Sequence, residues 1–184
     1  MTRWNKEESP NRKEGIISAL VDLLKEKDLA DITISELCAR SGISRQLFYY
    51  HFDNMESLFL WSVKSSTKGD KLKASLIEGI CDVCGAFLHR KELTAAFFSS
   101  PYRESIVGRI RNDFRMEADR YIRDSIGGDL SEEQRRMLLI ILTNGSLGII
   151  LDWVDDGMRV PLPVLQDTLL SLLDISDRPG RSSE

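Results

Sequence analysis

Two helix-start signals lie close together in the stretch TISELCARSGIS, and a glycine separates them. Thr33 is a favourable N-cap, and Glu36 three residues later completes a capping box, in which each side chain bonds the other residue's backbone amide. Gly42 predicts the end of this first helix after about two turns. Ser44 then predicts the start of another helix. Two short helices joined by about three residues make a helix-turn-helix, so the spacing predicts that motif between Thr33 and Phe52.

Most of the remaining chain has apolar residues at three- and four-residue steps, and strand-type alternation is almost absent. This periodicity predicts an all-α fold of about nine helices. A polar break around Gly69 suggests an N-terminal helix-turn-helix domain over residues 1–68, a helical C-terminal domain over residues 69–176 and a flexible tail over residues 177–184. The helices that we expect outside the motif are Arg12–Glu26, Asn54–Ser65, Leu72–Arg90, Glu92–Ser99, Tyr102–Ile126, Ser131–Asp156 and Pro163–Leu173.

Five consecutive ring-bearing residues, Phe48 to Phe52, follow shortly after a polar trio. Each residue of a helix turns about 100° from the last, so five rings cannot all face one core. Phe48 and Phe52 lie one above the other, and we expect the apolar side that they share with Leu47 to pack inward. The other side then carries Ser44, Arg45, Gln46, Tyr49, Tyr50 and His51.

These outward side chains suit contacts with DNA. Arginine can bind guanine and glutamine can bind adenine in a bidentate manner in the major groove. Tyrosine hydroxyls, histidine nitrogens and helix N-terminal amides bind phosphate oxygens. Arg45 and Gln46 lie in the N-terminal turn of the second helix, which meets base edges in helix-turn-helix proteins. The alternative, a packed helical hairpin with no DNA role, leaves these two residues and the outward tyrosines unexplained.

The stretch ITISELCARSGISRQLFYYHFDNMESLF, residues 32–59, resembles the DNA-binding segment of TetR-type transcriptional regulators. That family has a threonine that opens the second helix, an Ala-x-x-x-Gly-Val-Ser-like turn, then Leu-Tyr-x-His-Phe and Lys-Glu-x-Leu. The chain fits this pattern at Thr33, Gly42, Ile43, Ser44, Tyr49, His51, Phe52, Glu56 and Leu58, and Ala39 lies one position nearer to the glycine than the family's alanine. The resemblance implies a DNA-binding transcriptional regulator, usually a repressor and sometimes an activator. Its DNA contacts would be Thr33, Ser44, Arg45, Gln46, Tyr49, Tyr50 and His51.

The resemblance also implies a homodimer on a near-palindromic operator, and a C-terminal domain that binds a small-molecule effector. In TetR-type proteins the last two long helices form a four-helix dimer interface, which here would be Ser131–Asp156 and Pro163–Leu173. The apolar faces of the C-terminal helices suggest Cys84, Phe87, Phe98, Phe114 and Tyr121 as pocket residues. The interface candidates are Leu142, Gly145, Leu147, Ile149, Trp153, Leu165, Leu169 and Leu172.

Two positions depart from the TetR pattern. Family members usually have a phosphate-binding lysine where this chain has Met55, and often a threonine or small polar residue in place of Leu47. The first 64 residues carry nine Lys and Arg against ten Asp and Glu, so the local charge does not favour DNA either. DNA binding would then depend more on Arg12, Lys13 and Arg40. A second hypothesis is therefore a TetR-fold coregulator that acts mainly through protein partners.

Other sequence features argue against several classes of protein. We find no Gly-rich phosphate loop, nucleophile elbow or carboxylate–histidine metal cluster, so we expect neither an enzyme nor a cofactor or metal. The polar N-terminus is unlike a signal peptide. The longest apolar run, Met137–Leu151, is shorter than the roughly 20 residues that span a bilayer. We therefore expect a cytoplasmic protein that does not enter a membrane.

The chain has three cysteines and a formal net charge of −4. An odd number of cysteines without a secretion signal argues against a disulfide framework. Cys81 and Cys84 share a helix face, which fits core packing or pocket lining and leaves redox or metal sensing as the alternative. Supporting ligands for a metal are few, because His51 and His89 are the only histidines. His89 lies at a charged helix end and is expected on the surface.

Overall fold

The computed structural model describes residues 8–66, 76–126 and 130–176. Every regular element in these ranges is helical, so the predicted all-α fold is confirmed. A 3-10 turn at Leu29–Asp31 follows the first helix, and a π-helical turn at Ile122–Ile126 follows the seventh. The α-helices of these ranges are α1 (Glu8–Leu24), α2 (Ile34–Ser41), α3 (Arg45–His51), α4 (Met55–Ser66), α5 (Leu76–His89), α6 (Lys91–Phe98), α7 (Arg103–Tyr121), α8 (Glu132–Asp155) and α9 (Leu162–Ser176).

Local hydrogen bonds start α2 and α3 where the sequence predicts. The hydroxyl of Thr33 accepts from the amide of Glu36, and the Thr33 amide donates to the Glu36 carboxylate at 2.9 Å. Gly42, with a φ of 68°, takes the left-handed conformation that ends α2. Ser44 caps α3, because its hydroxyl accepts from the amide of Leu47 at 3.1 Å. The predicted helix-turn-helix is therefore confirmed at its caps and at its glycine turn.

The carboxylate of Glu36 also ties α2 to the preceding loop. A hydrogen bond from Lys27, followed by those from the backbone and hydroxyl of Thr33, lowers the pKa of Glu36 from 4.5 to about 2. A carboxylate with a lowered pKa stabilises the fold fully above its unfolded value, and this stabilisation is lost as the pH falls through the folded value. The relevant window therefore runs from about pH 4.5 down to about pH 2.

Glu36→Gln is expected to lower the free energy of unfolding at neutral pH, because an amide cannot form the ion pair with Lys27. The variant should also lose less stability than the wild type as the pH falls from about 5 to about 3. The reason is that glutamine does not titrate, so the proton that residue 36 takes up on unfolding in acid is absent from the variant. Urea unfolding followed by circular dichroism measures both effects. Glu104→Gln, at an exposed position in the first turn of α7, is the control. If the free energy of unfolding falls with pH equally in Glu36→Gln and in the wild type, the result would contradict the stabilising role of this carboxylate.

By their contacts, the described parts of residues 1–66 and 89–106 form one compact unit, called here the first unit. Phe59 of α4 stacks on Phe97 of α6 with ring centroids 4.5 Å apart. The Nη2 atom of Arg90 donates to both carboxylate oxygens of Glu14 at 2.7 and 2.8 Å. These two contacts pack α6 with the helix-turn-helix, while the predicted domain boundary between residues 68 and 69 stays a prediction. The core includes Ile16, Ile17, Leu20, Leu37, Phe48 and Leu58.

The described parts of residues 67–88 and 107–184 form the second unit. At the end of α8, the indole Nε1 of Trp153 donates to the backbone oxygen of Val160 at 2.8 Å, which fixes the loop that leads into α9. Gly157, with a φ of 73°, reverses the chain in that loop. The core includes Cys84, Phe87, Ala118, Ile122, Leu147 and Ile150.

Among the described residues, α8 is the one helix that is long and apolar enough to cross a membrane by length and composition. In its most apolar window, 33% of the residues are buried inside the protein. Core helices of soluble proteins meet the same criterion, so α8 is weak evidence for a membrane span. The expectation that the chain does not enter a membrane stays a prediction.

The cysteines are free thiols, and Cys84 is fully buried. Burial, followed by the neighbouring Cys81, raises the pKa of the Cys84 thiol to about 12. Burial also raises the pKa of Cys81, which is half-buried. Because the thiolate is the reactive form, these shifts favour a packing role over redox or metal sensing. The described residues contain no group of three or more potential metal ligands. His89 is exposed at the end of α5, as expected.

Candidate nucleic-acid interface

The outer face of α3 is the candidate interface. Phe48 and Phe52 are buried in the first unit, whereas Tyr49 and Tyr50 are 47% and 81% exposed. The predicted division of the aromatic row into an inward and an outward side is therefore confirmed for these four rings. An exposed tyrosine on a short helix that is already anchored by two buried phenylalanines is available to bind another molecule.

Buried rings hold α3 in place. The ring of Phe48 makes a T-shaped contact with Tyr49 at 5.6 Å, and the ring of Phe52 lies 5.9 Å from that of Trp61 in α4. The amide of Phe52 donates to the oxygen of Phe48 at 2.8 Å, which closes the last turn of α3. The orientation of the exposed side chains therefore depends on the packing of Phe48 in the middle of this short helix and of Phe52 just after its end.

Arg45 and Gln46 form the exposed first turn of α3. Neither side chain makes a hydrogen bond or ion pair with another described residue. Polar side chains that a fold requires are usually bonded within it, so both groups are free to bind a ligand outside the chain. A guanidinium and an amide at a helix N-terminus carry the donors and acceptors that base edges in a major groove require.

The hydroxyl groups of Thr33 and Ser44, which cap α2 and α3, differ in whether they can still donate a hydrogen bond to DNA. The hydroxyl of Thr33 accepts from the amide of Glu36 and donates to its carboxylate at 2.8 Å, so both of its roles are used within the protein. The hydroxyl of Ser44 accepts from the amide of Leu47, and no acceptor in the described residues takes its proton. Ser44 can therefore still donate to a phosphate oxygen, and the predicted DNA contact of Thr33 has less support.

His51 lies at the C-terminal end of α3 and is half-buried. Its ring meets the ring of Tyr50 edge-on at 5.0 Å. Burial lowers the pKa of His51, and the charges of Lys13 and Arg12 lower it further. The neutral form of the imidazole is therefore favoured, and in that form one ring nitrogen can offer a phosphate an N–H group without a full positive charge.

The two positions that depart from the family pattern differ in their burial. Met55 is 2% exposed and belongs to the core, so the start of α4 presents no side chain to DNA there. Leu47 is half-buried beside the outer face. Arg40, one of the cations expected to help, forms an ion pair with Glu26 at 2.8 Å. Arg40 is therefore at least partly committed within the protein.

The five predicted pocket residues do not belong to one unit. Cys84, Phe87 and Phe114 are buried in the second unit, and Tyr121 is half-buried there. Phe98 belongs to the first unit, where the guanidinium of Arg103 lies 5.6 Å from its ring centroid. A separate cavity of about 620 Å³ lies in the first unit, and none of the predicted pocket residues lines it. Its walls include Val21, Leu24, Leu29, Ala96, Ser99 and Pro101.

The predicted interface residues differ in their exposure. Gly145 is exposed, and Leu142, Ile149 and Leu165 are half-buried. Three others, Leu147, Trp153 and Leu169, are buried within the protomer itself. The side chain of Leu172 lies outside the described residues, and the interface as a whole stays a prediction.

Sequence reasoning missed two features of α8. Met137, Ile140 and Ile141 form an exposed apolar surface, called here the outer α8 surface. The signal for it was the apolar character of this helix on every side. Thr143 of the same helix is buried, and its hydroxyl has no hydrogen-bond partner among the described residues. The sequence does not show that this hydroxyl is unpaired, because a threonine in a helix often donates to a backbone oxygen of the preceding turn.

Residues 16–60 match a family model described as bacterial regulatory proteins of the tetR family. Residues 74–174, more than half of the chain, match a model described as a transcriptional regulator C-terminal region. Both matches fall on the segments built from α1 to α4 and from α5 to α9.

Over 50 residues the chain is 36% identical to the HTH-type transcriptional regulator EthR of Mycobacterium tuberculosis, and equally to that of Mycobacterium bovis. This match covers 27% of the chain and 23% of the length of those relatives. The matched segment is therefore less than a quarter of each mycobacterial protein. A crystal structure of a TetR transcriptional regulator from Rhodococcus sp. RHA1 is 18% identical, with a TM-score of 0.48. That alignment covers 92% of the chain and 99% of the other protein.

Proposed function

Since the chain belongs to the TetR family of bacterial transcriptional regulators, whose members bind DNA, we propose that it binds an operator as a homodimer and responds to a small-molecule effector. The outer face of α3 is the observation that carries the proposal. Arg45 and Gln46 are exposed and uncommitted there, next to two exposed tyrosines. The family is generally not enzymatic and typically cytoplasmic, so the proposed regulator acts in the cytoplasm without catalysis.

In the proposed complex, two copies of α3 enter successive major grooves roughly 34–36 Å apart on a near-palindromic operator. Arg45 and Gln46 read base edges, because they lie in the first turn of α3. Tyr49, Tyr50 and His51 contact the DNA backbone or base edges from the later turns. The hydroxyl of Ser44 and the free amides at the start of α3 bind phosphate oxygens.

The outer α8 surface supports the proposed homodimer. Ile141 is 59% exposed, beside the exposed Met137 and Ile140. Gly145 and Gly148 continue the same side of the helix, and apart from adjacent residues and the surrounding helical backbone, no atom of the described residues lies within 4 Å of the position that a Cβ would take at either glycine. A glycine inside a helix destabilises it by about 1 kcal/mol relative to alanine. Within the described part of the protomer nothing packs closely against these two glycines. In the proposed dimer, they would allow a helix of the second copy to approach α8 closely.

The interior of the second unit supports the effector part of the proposal. Among its described residues, the buried polar side chains are Thr143 and Ser146, and the other buried side chains are apolar. An unpaired buried hydroxyl such as that of Thr143 is unfavourable by about 1–3 kcal/mol, and a bound molecule would supply its partner. The proposed effector is therefore largely apolar, with one hydrogen-bonding group. Its binding favours a dimer geometry that does not fit the operator, which relieves repression.

A selection of genomic DNA fragments tests the proposal. The purified protein is expected to retain fragments that share two inverted half-sites, centred roughly one helical turn apart, at about 50 mM salt. Circular dichroism of the same sample controls for folding. If the folded protein retains no sequence at this salt, the operator model is wrong. The coregulator hypothesis, which the burial of Met55 and the pairing of Arg40 favour, would then take its place.

A further inference from the structure

Lys13 occupies an unusual position in the first unit. It lies early in α1, and its Nζ atom is 5.4 Å from the ring centroid of Phe52 and 5.2 Å from that of Trp61. Phe52 directly follows α3, and Trp61 belongs to α4. Two aromatic rings therefore hold an ammonium group from α1 against the C-terminal end of α3.

No carboxylate in the described residues neutralises this ammonium group. Lys13 forms no ion pair there, and the neighbouring Glu14 is engaged by Arg90 at 2.7 Å. Two other lysines of the first unit, Lys25 and Lys27, are paired with carboxylates, and Lys25 lies 2.8 Å from Asp22. An ammonium group has three N–H donors, and contact with ring faces leaves donors available. Lys13 is therefore a fixed cation with unused donors.

The charge of Lys13 reaches the proposed DNA-binding face. After burial, Lys13 is the largest cause that lowers the pKa of His51, and Arg12 acts in the same direction. Tyr50, whose ring contacts His51, is the most exposed aromatic residue in this part of the protein. The C-terminal end of α3 thus combines two hydrogen-bonding rings with positive charge from α1. Phosphate oxygens bind to such a combination, because hydrogen bonds from charged donors are the strong ones.

We propose that Lys13 donates to a DNA phosphate beside Tyr50 and His51, so that α1 contributes a backbone contact to the operator complex. This inference rests on the proposed function. Because the rings already restrict the side chain, its ammonium group loses little conformational freedom on binding DNA. The contact supplies a cation at the end of α3, where the buried Met55 offers none.

The salt dependence of operator binding tests this contact. Each phosphate contact contributes about 0.9 to the slope of log K against log salt, so Lys13→Met should reduce the slope by about 1.8 for a dimer. Lys13→Arg, which keeps the charge and the ring contact, should restore the wild-type slope. Lys25→Met is the matched control, because Lys25 follows the other end of α1 and is paired with Asp22. It should leave the slope unchanged.

The outcomes separate this proposal from the proposed function. Weaker binding by Lys13→Met with an unchanged slope would mean that Lys13 only supports the fold, and it would overturn the phosphate contact. Unchanged affinity and slope would overturn it as well. Both results leave the operator model intact, because the wild type still binds. A folded wild type that binds no DNA would instead overturn the proposed function, and the Lys13 contact with it.

Discussion

Arg45→Ala is expected to weaken operator binding by about 1–3 kcal/mol at each half-site, which is roughly 5- to 150-fold per half-site. Arg45 is exposed in the first turn of α3, where a guanidinium can bind a guanine edge with two hydrogen bonds. Fluorescence anisotropy with the selected operator, at one fixed salt concentration, measures the loss. The variant should also discriminate less at one base position of each half-site, because a base contact rather than a phosphate contact is removed.

The structure offers a matched control for this experiment. Arg111 is an exposed arginine of α7 in the second unit, and Arg111→Ala should bind like the wild type. The thermal midpoint of Arg45→Ala should stay at the wild-type value, since Arg45 makes no hydrogen bond or ion pair with the described residues. If Arg45→Ala keeps both the affinity and the base preference, then α3 does not read the operator through Arg45.

Ile141→Glu is expected to dissociate the proposed dimer at micromolar concentrations. The substitution places a carboxylate in the centre of the outer α8 surface, and burying an unpaired charge in an interface is unfavourable by several kcal/mol. A monomer can occupy only one half-site, so operator affinity should fall by at least about 100-fold. Light scattering after gel filtration gives the mass, and anisotropy gives the affinity.

Met116→Glu controls for the general effect of a new surface charge. Met116 lies on α7 and is 65% exposed, close to the 59% of Ile141. We expect the Met116→Glu variant to remain dimeric and to bind the operator with wild-type affinity. A dimeric Ile141→Glu would place the interface elsewhere on the protein. A wild type that stays monomeric at every concentration would contradict the dimeric operator model itself.

Local sequence signals were sufficient for the helix-turn-helix and for the division of its aromatic row. Caps act within three residues, as between Thr33 and Glu36, so they can be found without knowledge of the rest of the fold. The turn of about 100° per residue likewise separates Phe48 from Tyr49 and Tyr50 once the helix is known. The predicted helix over Tyr102–Ile126 ends at the same residue as the π-helical turn, but local signals did not indicate the change from α-helix to π-helix at Ile122.

The faces of α8 show where periodicity stops being informative. This helix is apolar on every side, so the sequence alone does not indicate which side faces the core of the protomer. Leu147 and Trp153 were predicted at the dimer interface, but they are buried within the protomer, while Ile141 lies on the outer α8 surface. Only packing against the rest of the second unit distinguishes the two sides.

The sequence by itself determined the all-α fold, the capped helix-turn-helix and the residues that α3 exposes, because these depend on interactions between near neighbours in the chain. The tertiary structure decided which distant residues meet. It packs Phe97 of α6 on Phe59, and it holds Lys13 over Phe52 and Trp61. Such contacts depend on how whole helices pack, and helical periodicity specifies a buried side without specifying the helix that covers it.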